Sequence, residues 1–467
     1  MKKLMNFALL GLLVFNFACK KNDPDPTPGT DVNVLEGNIT TRTLEANRVY
    51  LIRGQAFVQD GQVLTIPAGT VLKGEKRTKG TLVINEGGQL VANGTAQNPV
   101  IFTSNQAQGE RDRGDWGGII IVGRANTNQN RPAIEGISPA VQYGGFNSAT
   151  NNGQSSGSLQ YVRIEFAGIE LTPNNETNSL TLGGVGSGTT INHVQVSYGG
   201  DDGFEWFGGV VNCKNLVSFS TWDDDFDVDF GYSGNVQFGV AIRNPSYADQ
   251  SGSNGFEVDN DAAGTEAQPL TAAVFSNMSI IGPRTSTSGS VSGNYQNAMH
   301  IRRRAAISIF NSVFVGFPVG FRLDGSTTTA NYTAGRGVIA NNTLVAIGSG
   351  STAPVPYAVS GTGDPAPARD YWERAGGNNT LVSVSGANQE PAYAASNLSK
   401  AWFFNQYAIG QYPANPTFTV TAAQTADFTN AKLAPTFFNR GANYRGAFGS
   451  TDWTDGWTNF TPINASY

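Results

Sequence analysis

Five short strings set the fold: Phe204-Glu205-Trp206-Phe207, Phe226-Asp227-Val228-Asp229, Phe256-Glu257-Val258-Asp259, Met299-His300-Ile301-Arg302 and Phe321-Arg322-Leu323-Asp324. Each follows a partner string that begins with Asn: Asn192-His193-Val194-Gln195-Val196, Asn215-Leu216-Val217-Ser218-Phe219, Asn235-Val236-Gln237-Phe238, Asn277-Met278-Ser279-Ile280 and Asn311-Ser312-Val313-Phe314-Val315. Two alternating strands recur in units of roughly twenty-two residues, with Gly, Asn and Asp between them and longer inserts in some units. A unit this small cannot bury its apolar face alone, so the units must stack as the coils of a solenoid. The expected class is all-β, a right-handed single-stranded parallel β-helix.

Stacking makes the alternation informative. Side chains alternate across a strand, so Phe204, Phe226, Phe256, Met299 and Phe321 point inward, as do Trp206, Val228, Val258, Ile301 and Leu323. The intervening positions form two outward ladders: Glu205, Asp227, Glu257, His300, Arg322, and Phe207, Asp229, Asp259, Arg302, Asp324. Adjacent coils lie about 4.8 Å apart. Two carboxylates at that spacing repel by about 1 kcal/mol in water, or about 3.5 kcal/mol at an effective dielectric of 20. The patch Glu205, Asp227, Asp229, Glu257 and Asp259 therefore calls for a cation, shared protons or a basic partner, and these five are the expected metal ligands.

The chain opens with Met1-Lys2-Lys3 and the apolar run Leu4 to Ala18, the charged start and short hydrophobic stretch of a secretory signal (residues 1–18). Phe17-Ala18-Cys19 resembles a lipobox, although Asn16 departs from the aliphatic residue usual there. The resemblance implies lipidation of Cys19, hence a membrane-anchored protein, and with the following charged residues it implies a surface-exposed place on the outer membrane. Residues 19–33, rich in Pro and polar residues, read as an extended tether.

Composition narrows the partners. Without Lys2 and Lys3, 28 basic residues face 36 acidic ones, a net charge of −8, which disfavours nucleic acid. Only 14% of residues are charged and 57 are Gly, a balance suited to a solenoid of many turns. With Cys19 lipidated, Cys213 stands alone, so no intrachain disulfide and no Cys/His zinc site is expected. Cys213 reads as a small packing residue and not as a nucleophile.

Coils are legible from the start of the solenoid, assigned to residues 34–364. Leu64-Thr65-Ile66-Pro67-Ala68-Gly69-Thr70-Val71-Leu72, Thr81-Leu82-Val83-Ile84-Asn85-Glu86-Gly87-Gly88-Gln89-Leu90 and Pro99-Val100-Ile101-Phe102-Thr103 are β-rich strings punctuated by turns. Together with Asp115-Trp116-Gly117-Gly118-Ile119-Ile120-Ile121-Val122-Gly123, Tyr444-Arg445-Gly446-Ala447-Phe448 and Asp452-Trp453-Thr454-Asp455-Gly456-Trp457, they resemble a family of pectin-lyase-fold lipoproteins common in Bacteroidota and related to a leptospiral outer-membrane lipoprotein. The resemblance spans nearly the whole mature chain. It implies the fold and, by gene neighbourhood, a TonB-dependent transporter as partner, but it brings no established activity.

Two insertions are expected, near 124–158 and 284–296, where loops on one face would grip a ligand. Residues 365–467 read as an irregular capping region. Within it, Tyr371 to Ala375 and Ala394 to Tyr407 have helix-compatible spacing, and the aromatic tail from Phe437 to Tyr467 suits a cap over a solenoid end. Trp453 and Trp457 belong to that cap. Trp116, Trp206 and Trp222 are expected to pack, with sugar stacking the alternative.

The chemistry centres on Asp201, Asp202, Glu205, Asp223, Asp224, Asp225, Asp227, Asp229, Glu257, Asp259 and Asp261. Calcium or another divalent cation takes six to eight oxygen ligands, which carboxylates on adjacent coils supply without the chain folding back. The competing reading is a solvated acidic face on which Asp202, Asp224, Asn254 and Asn297, each two residues before a core Phe or Met, form a hydrogen-bonded turn ladder. No twelve-residue calcium loop is present. A catalytic reading also stands: polygalacturonase-type hydrolases of this fold use carboxylates on neighbouring coils followed by a His and a basic residue, and Asp202, Asp224, Asp225, His300 and Arg302 follow that order. The Gly-His-Gly and Arg-Ile-Lys strings of those enzymes, and the signatures of calcium-dependent lyases, are absent. His300 and Arg302 read more simply as basic rungs paired with Glu257 and Asp259, and His193 occupies an outward slot with no evident partner. The expectation is a non-catalytic binding or accessory module with a cation site and no organic cofactor, in contact with polysaccharide or a transporter. A polysaccharide lyase or hydrolase on the same face is the alternative.

Overall fold

Each coil alternates short β-branched and aromatic strings with single residues that turn the chain, and the turning residues line up. His193, Asn215, Phe238, Asn277, Asn311 and Asn341 all have φ between 53° and 63° and occupy the same step of consecutive coils. One left-handed residue bends a strand into the next face without a loop, and Asn tolerates that conformation better than other L residues. The side chains also bond along the axis, with Asn341 Nδ2 donating to Asn311 Oδ1 at 2.6 Å.

The computed structural model describes residues 33–172, 175–284, 287, 290–361, 363–385, 418, 420 and 424–467. Val34–Tyr467 cluster as one compact unit. Among the described residues, a 26-stranded sheet wraps into the solenoid, its coil-to-coil pairings parallel. The ladder that carries the acidic face runs through Thr81–Ile84, Ile119–Val122, Leu180–Val185, Phe204–Gly209, Phe226–Asp229, Phe256–Val258, Asn297–Ile301, Val319–Leu323 and Val355–Ala358. Its register is the one read from sequence: Phe204 pairs with Phe226 and Phe226 with Phe256, while Glu205 pairs with Asp227, Asp227 with Glu257 and Glu257 with His300.

The inward set is fully buried. Phe226 stacks between Phe204 and Phe256, with ring centroids 5.7 and 5.1 Å away, and Trp206 lies 5.4 Å from Tyr232. Trp116 is buried as well, its indole N–H donating to Glu165 O at 2.8 Å. Cys213 is buried, and burial pushes its thiol up to about 12, which suits packing and not reaction.

Among the described residues, two short α-helices follow the acidic ladder, α1 (Ser326–Thr333) and α2 (Ala366–Glu373). The expected spacing at Tyr371 to Ala375 is realised earlier, because Pro367 suits a first helical turn and Gly376-Gly377 follow the end. Trp372 of α2 is buried against Phe321 and Tyr357, 5.9 and 6.4 Å between centroids. α1 is Thr-rich and carries no helical signal in its sequence; it is fixed by Tyr332, whose buried hydroxyl donates to Ile307 O at 2.9 Å. No helix of the described residues is long and apolar enough to cross a membrane.

The aromatic tail takes a different route from the one its composition suggests. It covers the flank of the solenoid, running back along the coils: Arg445 reaches Asn342 O (2.9 Å), Ala447 N donates to Ser279 Oγ (2.8 Å), Gln195 Nε2 donates to Asn459 O (2.9 Å), and Tyr467 OH donates to Glu165 Oε1 (2.8 Å). Phe448, Trp457 and Phe460 bury Val217, Phe219 and Val240, outward residues that would otherwise be an apolar strip in water. The insertion at 124–158 does the same on another face, packing Ile134, Val141 and Tyr143 over Val83, Ile120 and Val122. Cys19, the leader, the tether through Val32 and the segment Ala394 to Tyr407 lie outside the described residues.

Candidate functional site

The acidic face begins at a turn. After Tyr198, the string Gly199-Gly200-Asp201-Asp202-Gly203 carries the chain into the strand Phe204–Gly209. A Cβ on Gly200 would sit 2.4 Å from Gly168 O, so neighbouring turns close-pack only because this residue is glycine. The expected turn ladder is present. Asp224 N donates to Asp202 Oδ1 (2.8 Å), Asn254 N to Asp224 Oδ1, and Asn297 N to Asn254 Oδ1 (3.0 Å). It has one rung more than expected: Asp202 N donates to Asn178 Oδ1 at 3.2 Å.

The ladder holds carboxylates together that repel one another. Asp201, Asp202 and Asp223 form one group, Asp202, Glu205 and Asp227 a second, and Asp224, Asp227 and Glu257 a third, with one oxygen of each member within 4.8 Å of the others in its group. The groups share Asp202 and Asp227, so they form one continuous acidic track along the solenoid. Burial pushes every carboxyl in it above its ordinary range, and the neighbouring carboxylates add to the rise for most of them. Asp223 reaches about 6 and Glu257 about 7. Among the described residues, no basic side chain pairs with Asp227 and none donates to it.

Sequence-predicted residues divide between this track and its basic end. Glu205 and Asp227 lie at its centre, Glu205 accepting a hydrogen bond from Asn178 Nδ2. Glu257 closes it, bonded to Arg302, with His300 Nδ1 3.8 Å away. Asp259 stands outside the groups, held by Arg302 Nε (2.8 Å) and Arg303 Nη1 (2.6 Å). Asp229 also stands outside; burial pushes it up to about 8. Of the residues in the hydrolase order, Asp202 and Asp224 are adjacent. Asp225 turns away from them, fully buried, accepting from Ser218 Oγ at 2.7 Å with Arg243 at 3.3 Å. His300 Nε2 is bonded to Asp324 Oδ2 (2.8 Å), and Arg302 to Glu257 and Asp259. The order in sequence is not a single cluster in space.

Two cavities open on the track and share Glu176 and Asp201 in their walls. The larger, about 660 Å³, is bordered by Asp223, Trp222 and Arg113. Trp222 packs as expected but also faces this cavity: its indole N–H donates to Asp249 Oδ1 (2.7 Å) and the Arg113 guanidinium lies 3.5 Å from its ring centre. The smaller cavity, about 340 Å³, lies under the insertion, against Tyr143, Phe207 and Phe230. Arg113, Glu176 and Asn178 are the residues sequence reading missed. Only Asn178 carried a signal, sitting two residues before core Leu180 as Asp202 does before Phe204.

Compared with known families, residues 37–362 match the model of a pectate-lyase-like beta helix domain. No curated protein and no solved structure matches the chain. The matched span includes the whole acidic track and both cavities.

Proposed function

The chain belongs to the family of pectate-lyase-like β-helix domains, and on that scaffold we propose that it is a non-catalytic binding module whose acidic track takes up a divalent cation such as calcium. The observation that carries this reading is the pair of carboxylate groups joined at Asp227, Asp202 with Glu205 and Asp224 with Glu257. Hard cations are bound by several oxygens at once, and Asp202, Glu205, Asp224 and Asp227, which among the described residues have no basic side chain in a salt bridge with them as Glu257 has in Arg302, gain most from a cation that replaces water and protons. The larger cavity, with Trp222 at its edge, is the place for a polysaccharide segment beside the bound ion. The experiment is calcium titration calorimetry: saturable binding lost in Asp227→Asn supports the reading, and no heat in the wild type overturns it.

The same proposal places the protein on the outer membrane, lipid-anchored through Cys19, beside a TonB-dependent transporter. The support is the leader and the lipobox resemblance in the sequence. Cys19→Ala is expected to abolish acyl labelling and release the protein from membranes; retention without acylation contradicts the anchor.

A second reading rests on Asp201 and Asp223, which line the larger cavity, grouped with Asp202 behind them. An acid that keeps its proton near neutral pH beside an ionised carboxylate is the arrangement glycoside hydrolysis uses. Release of reducing sugar ends by the wild type, lost in Asp223→Asn, would establish it in place of the binding role.

A further inference from the structure

The smaller cavity differs from the rest of the acidic track in having an aromatic side. Tyr143, Phe207 and Phe230 line it, with ring centroids 5.9 Å apart from Tyr143 to Phe207 and 5.5 Å from Phe207 to Phe230. Facing them are the carboxylates of Asp202 and Glu205, and no lysine, arginine or histidine is among the lining residues. Asp202 is 6% exposed. Its Oδ1 is the ladder acceptor for Asp224 N, and among the described residues no donor reaches Oδ2.

A hydrated metal ion gains nothing from an apolar wall. An alkylated ammonium ion gains from both walls, because its methyl groups lose water against the rings while the carboxylates supply countercharge. A neutral or anionic ligand would give Asp202 and Glu205 no countercharge, and they would hold protons in its place. At about 340 Å³ the space lies at the small end of small-molecule sites. We infer that this cavity is a binding site for a compact organic ammonium ion of about the size of choline, held between the Tyr143, Phe207 and Phe230 rings and the Asp202 and Glu205 carboxylates. The site shares Asp202 and Glu205 with the divalent-cation reading, so calcium and the organic ion compete for them, while the aromatic wall serves only the organic ion.

The test is calorimetric titration of the full chain in chelator with choline and, in parallel, with 3,3-dimethylbutan-1-ol, its neutral isostere. Choline is expected to bind saturably and at least about tenfold more tightly than the alcohol, and Phe207→Leu to weaken choline by about threefold through the apolar surface it removes. Phe207 is only partly buried, so the variant should fold. Asp202→Asn, which can keep the ladder bond, is expected to weaken choline as well. No choline binding, or the alcohol binding equally, overturns the inference. So does spermidine matching choline while Phe207→Leu changes neither, because the carboxylates alone are then at work. Calcium binding by Phe207→Leu is expected to equal that of the wild type, so failure here leaves the divalent-cation reading standing.

Discussion

The backbone N–H of Asp224 donates to Asp202 Oδ1, 2.8 Å away on the preceding coil. One oxygen of each turn aspartate thus holds two coils in register, and the other is left to the acidic track. Asn178, Asn254 and Asn297 occupy the same step, and Asn178 and Asn254 accept the same bond, so the ladder needs an acceptor oxygen and not a charge.

That division makes Asp202 separable by substitution. Asp202→Asn keeps the acceptor and removes a repelling carboxylate, so in chelator it is expected to be at least as stable as wild type. Asp202→Ala leaves the buried Asp224 N–H without a partner and should cost about 1–3 kcal/mol. Urea denaturation of both variants decides it; equal midpoints would mean that the turn bond contributes nothing.

His193 reports on the tail. Its ring stacks on Tyr161 at 4.3 Å between centroids and meets the Trp457 edge at 5.6 Å. Burial pushes its pKa down to about 4. Trp457→Ala opens that contact and should cost about 3–5 kcal/mol, with His193 titrating closer to the ordinary 6.5. Imidazole chemical shifts against pH measure this directly. An unchanged titration would mean that the tail does not cover His193 in solution.

These two residues also mark how far the sequence could be read. The ladder Glu205, Asp227, Glu257, His300 was legible because alternation with period two leaves one register that buries Phe204, Phe226 and Phe256 together. The pairing of Arg302 with Asp259 followed from the same register, whereas His300, expected opposite Glu257, hydrogen-bonds Asp324 and leaves Glu257 to Arg302. His193 looked partnerless because, beside Tyr161 of a neighbouring coil, its partners Trp453 and Trp457 come from the far end of the chain, and nothing local encodes where the tail docks. Arg113, Glu176 and Trp222 meet around one cavity for the same reason: turns and insertions of different coils deliver them. α1 was hidden because Thr-rich strings favour strand, and its helix is held by the burial of Tyr332. The left-handed corners were half-visible, Asn at four of the six steps but His193 and Phe238 at the others.

The raised carboxyls fix the sign of the pH response. Glu257 moves from 4.5 to about 7 and Asp229 from 3.8 to about 8, in both cases chiefly by burial. The folded protein therefore keeps protons that the unfolded chain has already released, and stability falls as pH rises through the folded values. Between about pH 7 and about pH 8.5, where His193 is largely neutral in both states, the metal-free protein is expected to lose stability steadily. Calcium should stabilise more at the higher pH, since only the deprotonated groups are ligands. Urea midpoints in chelator across that range test it, and a rising midpoint would contradict the buried carboxyl assignment.

The most direct measurement compares Tm in calcium and in chelator for the wild type and for the double variant Asp227→Asn, Glu257→Gln. Both substitutions fall on the track, and Arg302 keeps Asp259 as its partner. Ligand stabilisation scales as RT ln(1 + [L]/Kd), about 2.7 kcal/mol at a hundredfold excess over Kd, and vanishes with the site. The double variant is expected to melt above the wild type in chelator, because repulsion is relieved, and below it in calcium. A wild type whose Tm does not move with calcium, or a double variant that keeps the full shift, would contradict the cation site.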